Sequence, residues 1–423
     1  MSQAEITRDI MKKCTMKDEQ PRVSVLLSVH NHEDYVGAAI ESVLRQTYQE
    51  WELIIIDDCS EDGSADVIRK YQDDRIQFYQ AEENQGAILI FNELLKKAGG
   101  EYIASIDSDD IWYDNKLEEQ IAYLEQHREM AACFSWAEFI DQGGDLYSIT
   151  HKECDCDIRL FMHENRTQGQ CFRYFFDNDN YLCRSSVVLR SNAVEEIGGF
   201  DPRFRVLHDY EYWVRLIQKY PIYLIQKPLV RYRRVSVDNN SLSAVNRKNV
   251  IRVINEHQMI VYNMIKEMDR TIFCDAFYDL LKKEVTSEAH LICEKYFVLL
   301  RWTMLGVNNR QVALRYFHDC MDAEAMECLK QEYGYSWRDY YIEMEDTWQL
   351  YPLDFYKDYQ TLEEIHANTD KAYTNLLGAF QEQGREMSRL TGEIHKMSRT
   401  FSWRITKPLR AVRRVFCRKK HGR

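Results

Sequence analysis

Apolar and polar positions alternate with two periods along the first third of the chain. Val23–Val29 (VSVLLSV) is an apolar run of strand length, a helix-like stretch follows to Gln46, and Trp51–Ile56 (WELIII) is a second apolar run. Near-continuous apolar runs mark strands buried on both faces, and two of them with a helix between predict a parallel βαβ unit. The alternation continues with a helix over Ala65–Tyr71, a strand Ile76–Tyr79, a helix Ala87–Ala98, a strand Tyr102–Ile106, a helix Asn115–His127 and a strand Ala131–Phe134. This order predicts a doubly wound α/β layer whose ligands gather at the carboxyl ends of the strands. Polar clusters fall at those ends: His30-Asn31 after the first strand, Asp57-Asp58 after the second, and Asp107-Ser108-Asp109-Asp110 after the fourth.

Residues 150–240 are less regular, and from Ser241 to about His366 the pattern is mostly helical and rich in aromatics, which reads as an appended helical domain. From Tyr373 to Phe401 apolar residues recur at 3-4 spacing over four heptads, with Gln383 as the polar exception and Gly378, Gly384 and Gly392 weakening the helix. That is a coiled-coil pattern and predicts a homodimer or hetero-oligomer. Ile405, Leu409, Val412 and Phe416 then form one apolar stripe on a helix that Pro408 can open, with Arg and Lys opposite. A basic amphipathic helix with Trp403 near its start suits an anionic membrane surface. The expected division is a polar leader 1–20, a nucleotide-binding domain 21–240, a helical domain 241–369, a coiled-coil-like helix 370–400 and a basic tail 401–423.

A length of 423 residues exceeds what one hydrophobic core sustains, consistent with several units. With 45% hydrophobic residues and only 6 Pro, general disorder is excluded. The net charge of −13 hides an asymmetry: residues 401–423 hold nine Lys/Arg and no Asp/Glu, so the rest carries −22. Such a body lacks the basic face that nucleic acid requires. Twelve cysteines without a CxxC pair fit a reducing cytosol. With no apolar signal region and no run of 18 uncharged apolar residues, the expected location is cytoplasmic, peripheral on the inner face of the cell membrane.

Clustered carboxylates after two strands of one sheet are costly unless a cation neutralises them, and oxygen-only ligands favour Mg²⁺ or Mn²⁺ bridging to a diphosphate. Taken alone, Asp107–Asp110 also reads as a solvated turn, and Asp57-Asp58 as an N-cap and turn. A nucleotidyltransferase would need a Gly-rich phosphate loop with Arg and Lys near the first strand, and an aspartyl phosphatase would put its DxD after the first strand. Neither pattern is present.

The ordered set His30-Asn31, Asp57-Asp58-Cys-Ser-Glu-Asp-Gly-Ser, Asn84-Gln-Gly86 and Gly100-Glu-Tyr-Ile-Ala-Ser-Ile-Asp107-Ser-Asp109-Asp110 resembles the inverting family 2 glycosyltransferases. The resemblance covers roughly residues 21–240 and implies a GT-A type α/β/α sandwich. It further implies that Ser28, His30, Asn31, Glu33, Asp58, Asn84 and Gly86 hold the nucleotide of a UDP-, dTDP- or GDP-sugar. Asp107 and Asp109 then form the DxD at ribose and metal-bound diphosphate, with Asp110 as a third possible ligand. The segment Gly198-Gly-Phe-Asp-Pro and His208-Asp209-Tyr-Glu211-Tyr-Trp213-Val-Arg215 is similar to the family's general-base segment. It implies Asp209 as base, Glu211 as the alternative, and His208, Trp213, Arg215 and Asn180 as acceptor contacts. Tyr232-Arg-Arg-Val235 resembles the family's closing Tyr-Arg-x-His segment, with Val235 where a histidine is often found. Asp-Ile-Trp112-Tyr-Asp-Asn-Lys-Leu with Ser185-Ser186, and the tail segment Phe401-Ser-Trp403-Arg-Ile405, resemble the branch that builds bacterial surface polysaccharides, including rhamnosyltransferases. The expected activity is sugar transfer with inversion to a glycan or lipid-linked glycan acceptor; the alternative is an inactive glycan-binding or scaffold subunit of a polysaccharide assembly complex.

Overall fold

The computed structural model describes residues 21–147, 159–234, 247–304 and 307–345. The leader, the coiled-coil-like helix, the basic tail and Val235 lie outside the described residues.

The first four strands, β1 (Val23–Val29), β2 (Trp51–Asp57), β3 (Ile76–Gln80) and β4 (Tyr102–Asp107), are parallel, with β1 between β2 and β4. Helices α1 (Val36–Leu44), α2 (Ser64–Ile68) and α3 (Ala87–Lys97) are the crossovers. Alternation at period two divides β1 and β2 between the faces. Val25, Leu27, Leu53 and Ile55 face one apolar cluster, and Leu26, Ile54 and Ile56 face the other. After β4 come β5 (Ile111–Trp112), α4 (Lys116–Gln126), β6 (Ala132–Ile140), α5 (Gln168–Asp177), a short 3₁₀ turn Arg184–Ser186, β7 (Val188–Arg190), α6 (Ser191–Ile197), α7 (His208–Lys219) and β8 (Ile222–Arg233). The sheet order is β3-β2-β1-β4-β7-β6-β8-β5, with β7 antiparallel to β4 and β6.

The predicted parallel half stands as read, and the mixed half exceeds it. Period and length found β1 to β4, but β7 is only three residues long and β8 carries Pro228 among polar positions. A shift in register between Ser135 and Ala137 bends β8 so that its end pairs antiparallel with β5. This return brings Arg233 back to the turn that follows β4.

The helical part comprises α8 (Arg247–Glu267), α9 (Arg270–Phe277), α10 (Glu288–Leu299), a two-stranded ribbon of β9 (Thr303–Met304) and β10 (Val307–Asn308), α11 (Arg310–Cys320), α12 (Ala323–Tyr333) and α13 (Trp337–Glu345). Its apolar residues continue one sheet-side cluster without a break: Phe176 of α5 meets Phe277 of α9 with ring centroids 5.0 Å apart, and Tyr210 of α7 meets His257 of α8 at 5.4 Å. The helices therefore share a core with the α/β layer. Among the described residues no helix is long and apolar enough to cross a membrane.

Candidate active site

Parallel register aligns the ends of three strands, since Val29 pairs with Asp57 and Ser28 with Asp107. The loops leaving β1 and β2 are tied to each other. Asn31, at a left-handed φ of 54°, donates its backbone N–H to Ser60 Oγ at 2.9 Å and accepts from Glu61 N at 2.8 Å. Glu33 accepts from Gly63 N at 2.8 Å. Asp58 is 3% exposed, and its carboxylate accepts backbone N–H groups from Gln85 at 2.7 Å and Gly86 at 2.8 Å. Gly86 takes φ 91°, where a side chain would be strained, and opens α3. Asn84 Nδ2 reaches the His30 ring at 3.1 Å, and His30 Nδ1 lies 2.9 Å from Asp58 O. The predicted nucleotide residues His30, Asn31, Asp58, Asn84 and Gly86 thus form one joined shelf. Asp58 acts within it by fixing the 84–86 loop.

The turn after β4 packs three carboxylates together. Asp107 forms an ion pair with Arg184. Asp110 is 1% exposed; its Oδ1 accepts Arg233 N at 2.8 Å, while its Oδ2 is buried with no hydrogen-bond partner. Burial first, then Asp109 and Asp107, pushes the Asp110 carboxyl well up, and burial followed by Asp107 raises Asp109. Arg233 holds the turn through its Nε to Asp109 O at 2.7 Å, and His32 Nδ1 lies 2.6 Å from Ser108 Oγ. An orphaned carboxylate oxygen beside a second carboxylate raised by its neighbours is the donor set a hard divalent cation fits. Mg²⁺ or Mn²⁺ matches Asp109 and Asp110 in this respect, with Asp107 already balanced by Arg184.

Helix α7 enters through Arg184. Its Nη1 donates to His208 Nε2 at 3.3 Å while the same guanidinium pairs with Asp107. Burial pushes His208 below the usual imidazole range, and as a neutral ring it donates Nδ1–H to Arg205 O at 3.3 Å. Asp209 follows at the helix start, half-buried, accepting from Asn180 Nδ2 at 3.1 Å and from Tyr210 N at 2.8 Å. The loop before it is held from the helical region: the Glu256 carboxylate of α8 accepts N–H groups from Arg205 at 2.9 Å, Val206 at 2.9 Å and Leu207 at 2.8 Å.

Three expected site residues sit elsewhere on α7. Glu211, the alternative base, grips Arg215 at 2.6 and 2.9 Å, and Arg215 also donates to Ile197 O at 2.8 Å and Gly199 O at 2.9 Å. Both line a cleft of about 240 Å³ with Asp201, Arg203 and Glu267, on the helix face turned towards α8. Trp213 is 1% exposed and packs edge-on against Phe134 at 4.8 Å, a core position. Helical geometry turns Glu211 and Arg215, two and six residues after Asp209, to other sides of the helix, whereas Trp213, four residues on, is drawn into the core by its packing on Phe134. Conversely, Arg184, His32 and Arg233 join the cluster although sequence reasoning assigned them no role. Arg184 stands beside the quoted Ser185-Ser186 pair without being singled out, and the antiparallel β4–β7 pairing, with Ser185 Oγ accepting from Asp107 N, places it there.

A family model described as glycosyl transferase family 2 matches residues 24–198. The chain is 32% identical over 235 residues to the putative teichuronic acid biosynthesis glycosyltransferase TuaG of Bacillus subtilis, spanning 54% of this chain and 84% of that protein. Over 102 residues it is 43% identical to the UDP-Glc:alpha-D-GlcNAc-diphosphoundecaprenol beta-1,3-glucosyltransferase WfgD of Escherichia coli, covering 24% of this chain and 40% of that one. A solved structure of S. aureus TarS 1-349 in complex with UDP-GlcNAc is 15% identical with a TM-score of 0.48, covering 74% of this chain and 91% of that chain. With its mixed sheet and joined strand-end loops, this chain belongs to the family 2 glycosyltransferases.

Proposed function

We propose that this protein transfers a sugar from a nucleotide-sugar donor to a glycan or lipid-linked glycan acceptor with inversion at the anomeric carbon, in cell-surface polysaccharide biosynthesis. The observation that carries the reading is the chain Asp107, Arg184, His208, which sets the start of α7, and with it Asp209, beside the carboxylate turn. The nucleotide rests on the shelf formed by His30, Asn31, Asp58, Asn84 and Gly86. Asp209 takes the proton of the acceptor hydroxyl as its oxygen attacks the anomeric carbon; the bond to the diphosphate breaks and its electron pair leaves with the nucleoside diphosphate. Asn180 orients the receiving carboxylate. Arg184 offers a fixed cation near the breaking bond. A Mg²⁺ or Mn²⁺ ion held by Asp109 and Asp110, when bound, supplies further neutralisation of diphosphate charge.

We extend the reading to a peripheral position on an anionic membrane through the stripe of Ile405, Leu409, Val412 and Phe416, and to a dimer through the heptads of 370–400. UDP-, dTDP- and GDP-sugars are the donor classes to screen. Thermal shift of the full chain against this panel, with and without Mn²⁺ or Mg²⁺, tests the donor site. One nucleotide is expected to raise the melting temperature in a metal-dependent way, with the rise lost in Asp109→Ala. Absence of a shift with every nucleotide would refute it.

A further inference from the structure

Outside the strand-end cluster, helices α10 and α12 bring a mixed set of donors together. A ring nitrogen of His290, Cys328 Sγ and a carboxylate oxygen of Glu332 all lie within 4.8 Å of one another. Nε2 is the nitrogen beside the carboxylate, 2.8 Å from Glu332 Oε2. Cys328 and Glu332 are four apart on α12 and so share one of its faces, turned towards His290 on α10. Sequence spacing alone hid this set, because His290 and Cys328 are 38 positions apart and meet only when the two helices pack.

We propose that His290 Nε2, Cys328 Sγ and Glu332 form a Zn²⁺ site between α10 and α12, separate from the carboxylate turn of the active site. The donor types favour it: thiolate and imidazole select zinc over Mg²⁺ and Mn²⁺, which prefer oxygen alone. Tetrahedral zinc sets its ligand atoms roughly 3.3–3.8 Å apart, given metal–ligand distances of about 2.0–2.3 Å. A cluster spanning 4.8 Å closes to that by side-chain rotation. The ring is oriented for the task, since Nδ1 lies 2.8 Å from Thr286 Oγ1 and 3.2 Å from Ser287 Oγ. With Nδ1–H donated to a hydroxyl, Nε2 presents its lone pair, the arrangement that outer partners commonly impose on metal-binding histidines. Cys293, one turn along α10 from His290, donates to Ala325 O at 3.4 Å. His290 and Cys328 are half-buried and Glu332 is exposed, so an ion reaches the site from solvent and the fourth position is open to water. Bound there, it clamps α10, which precedes the ribbon, to α12, which precedes α13.

The full-length chain, kept reduced and stripped with a chelator, is titrated with Co²⁺ as a spectroscopic stand-in for zinc. The expected result is a thiolate-to-cobalt charge-transfer band saturating at one ion per chain, bleached by Zn²⁺ and indifferent to Mg²⁺ or Mn²⁺. Cys328→Ser loses the band; Glu332→Gln, a change at an exposed position that leaves the fold intact, weakens Zn²⁺ binding. Asp109→Asn and Cys293→Ser keep the band. Absence of the band in the folded wild-type chain, or its survival in Cys328→Ser, overturns the site.

Discussion

Glu256 offers the sharpest test of how the helical part serves the active site. Its carboxylate, on a residue 5% exposed, accepts three consecutive backbone N–H groups, one at Oε1 and two at Oε2, from the residues that lead into α7. A hydrogen bond to a charged group contributes about 1.5–3 kcal/mol. Arg205 to Leu207 are only partly covered, so water replaces some of the loss, and Glu256→Ala is expected to cost about 3–6 kcal/mol in total. Glu256→Gln keeps one oxygen and turns an N–H₂ towards the remaining donors, and is expected to cost about 2–3 kcal/mol. Because these bonds set the start of the helix that carries Asp209, kcat should fall in the same order, Ala below Gln below wild type. The donor shelf belongs to the loops that follow β1, β2 and β3, so the donor KM should stay near the wild-type value. Melting temperature by calorimetry and initial rates of transfer with a nucleotide-sugar substrate measure both. A folded Glu256→Ala enzyme with wild-type kcat, or one whose loss lies wholly in donor KM, refutes the argument.

Three further outcomes follow from the geometry. Asp209→Asn should lower kcat by roughly 10²–10⁴ with the nucleotide still bound in a thermal-shift assay, as expected for loss of a general base; a Glu211→Gln variant should retain most of its kcat, because that carboxylate is committed to Arg215. Trp213→Ala should destabilise the fold by about 3–5 kcal/mol through the cavity left against Phe134, read as a lower melting temperature without a selective change in acceptor KM. Lys116 is fully buried over the Trp112 ring at 3.9 Å with no hydrogen-bond partner on Nζ, and burial pushes its ammonium down to about 7. The unfolded chain therefore binds the extra proton between pH 7 and 10, so this group's penalty is full below pH 7 and is relieved as pH rises. The fall from 10.5 to about 7 corresponds to about 5 kcal/mol, of which the ring contact is expected to return about 2, so Lys116→Met should stabilise by about 3 kcal/mol at pH 7 and hardly at all near pH 10. Unfolding curves that differ equally at both pH values would contradict it.

Much of the catalytic layer is written in local pattern. A run such as VSVLLSV reads as a strand covered on both faces, and four strand-length runs with helical spacers predict a parallel order whose carboxyl ends bear the polar clusters. His30, Asp58, Asp107 and Asp109 stood out as candidates for that reason: each lies at or just past the end of a strand whose length its own residues determine. Asp209 was legible from its resemblance alone, and its neighbours on the helix were not sorted by it. Which side of α7 faces the chemistry depends on what packs against the other sides: Phe134 claims Trp213 for the core, while Glu211 and the carbonyls of Ile197 and Gly199 claim Arg215. The bend of β8 back to β5, the pairing of a three-residue β7 with β4, and the reach of Glu256 from the helical part are all long-range contacts. Through them the fold recruits Arg233, Arg184 and the start of α7 to the carboxylate turn. Local periodicity can specify an element and the end at which its polar residues emerge. The meeting of residues tens of positions apart is decided only when the whole chain closes around a shared core.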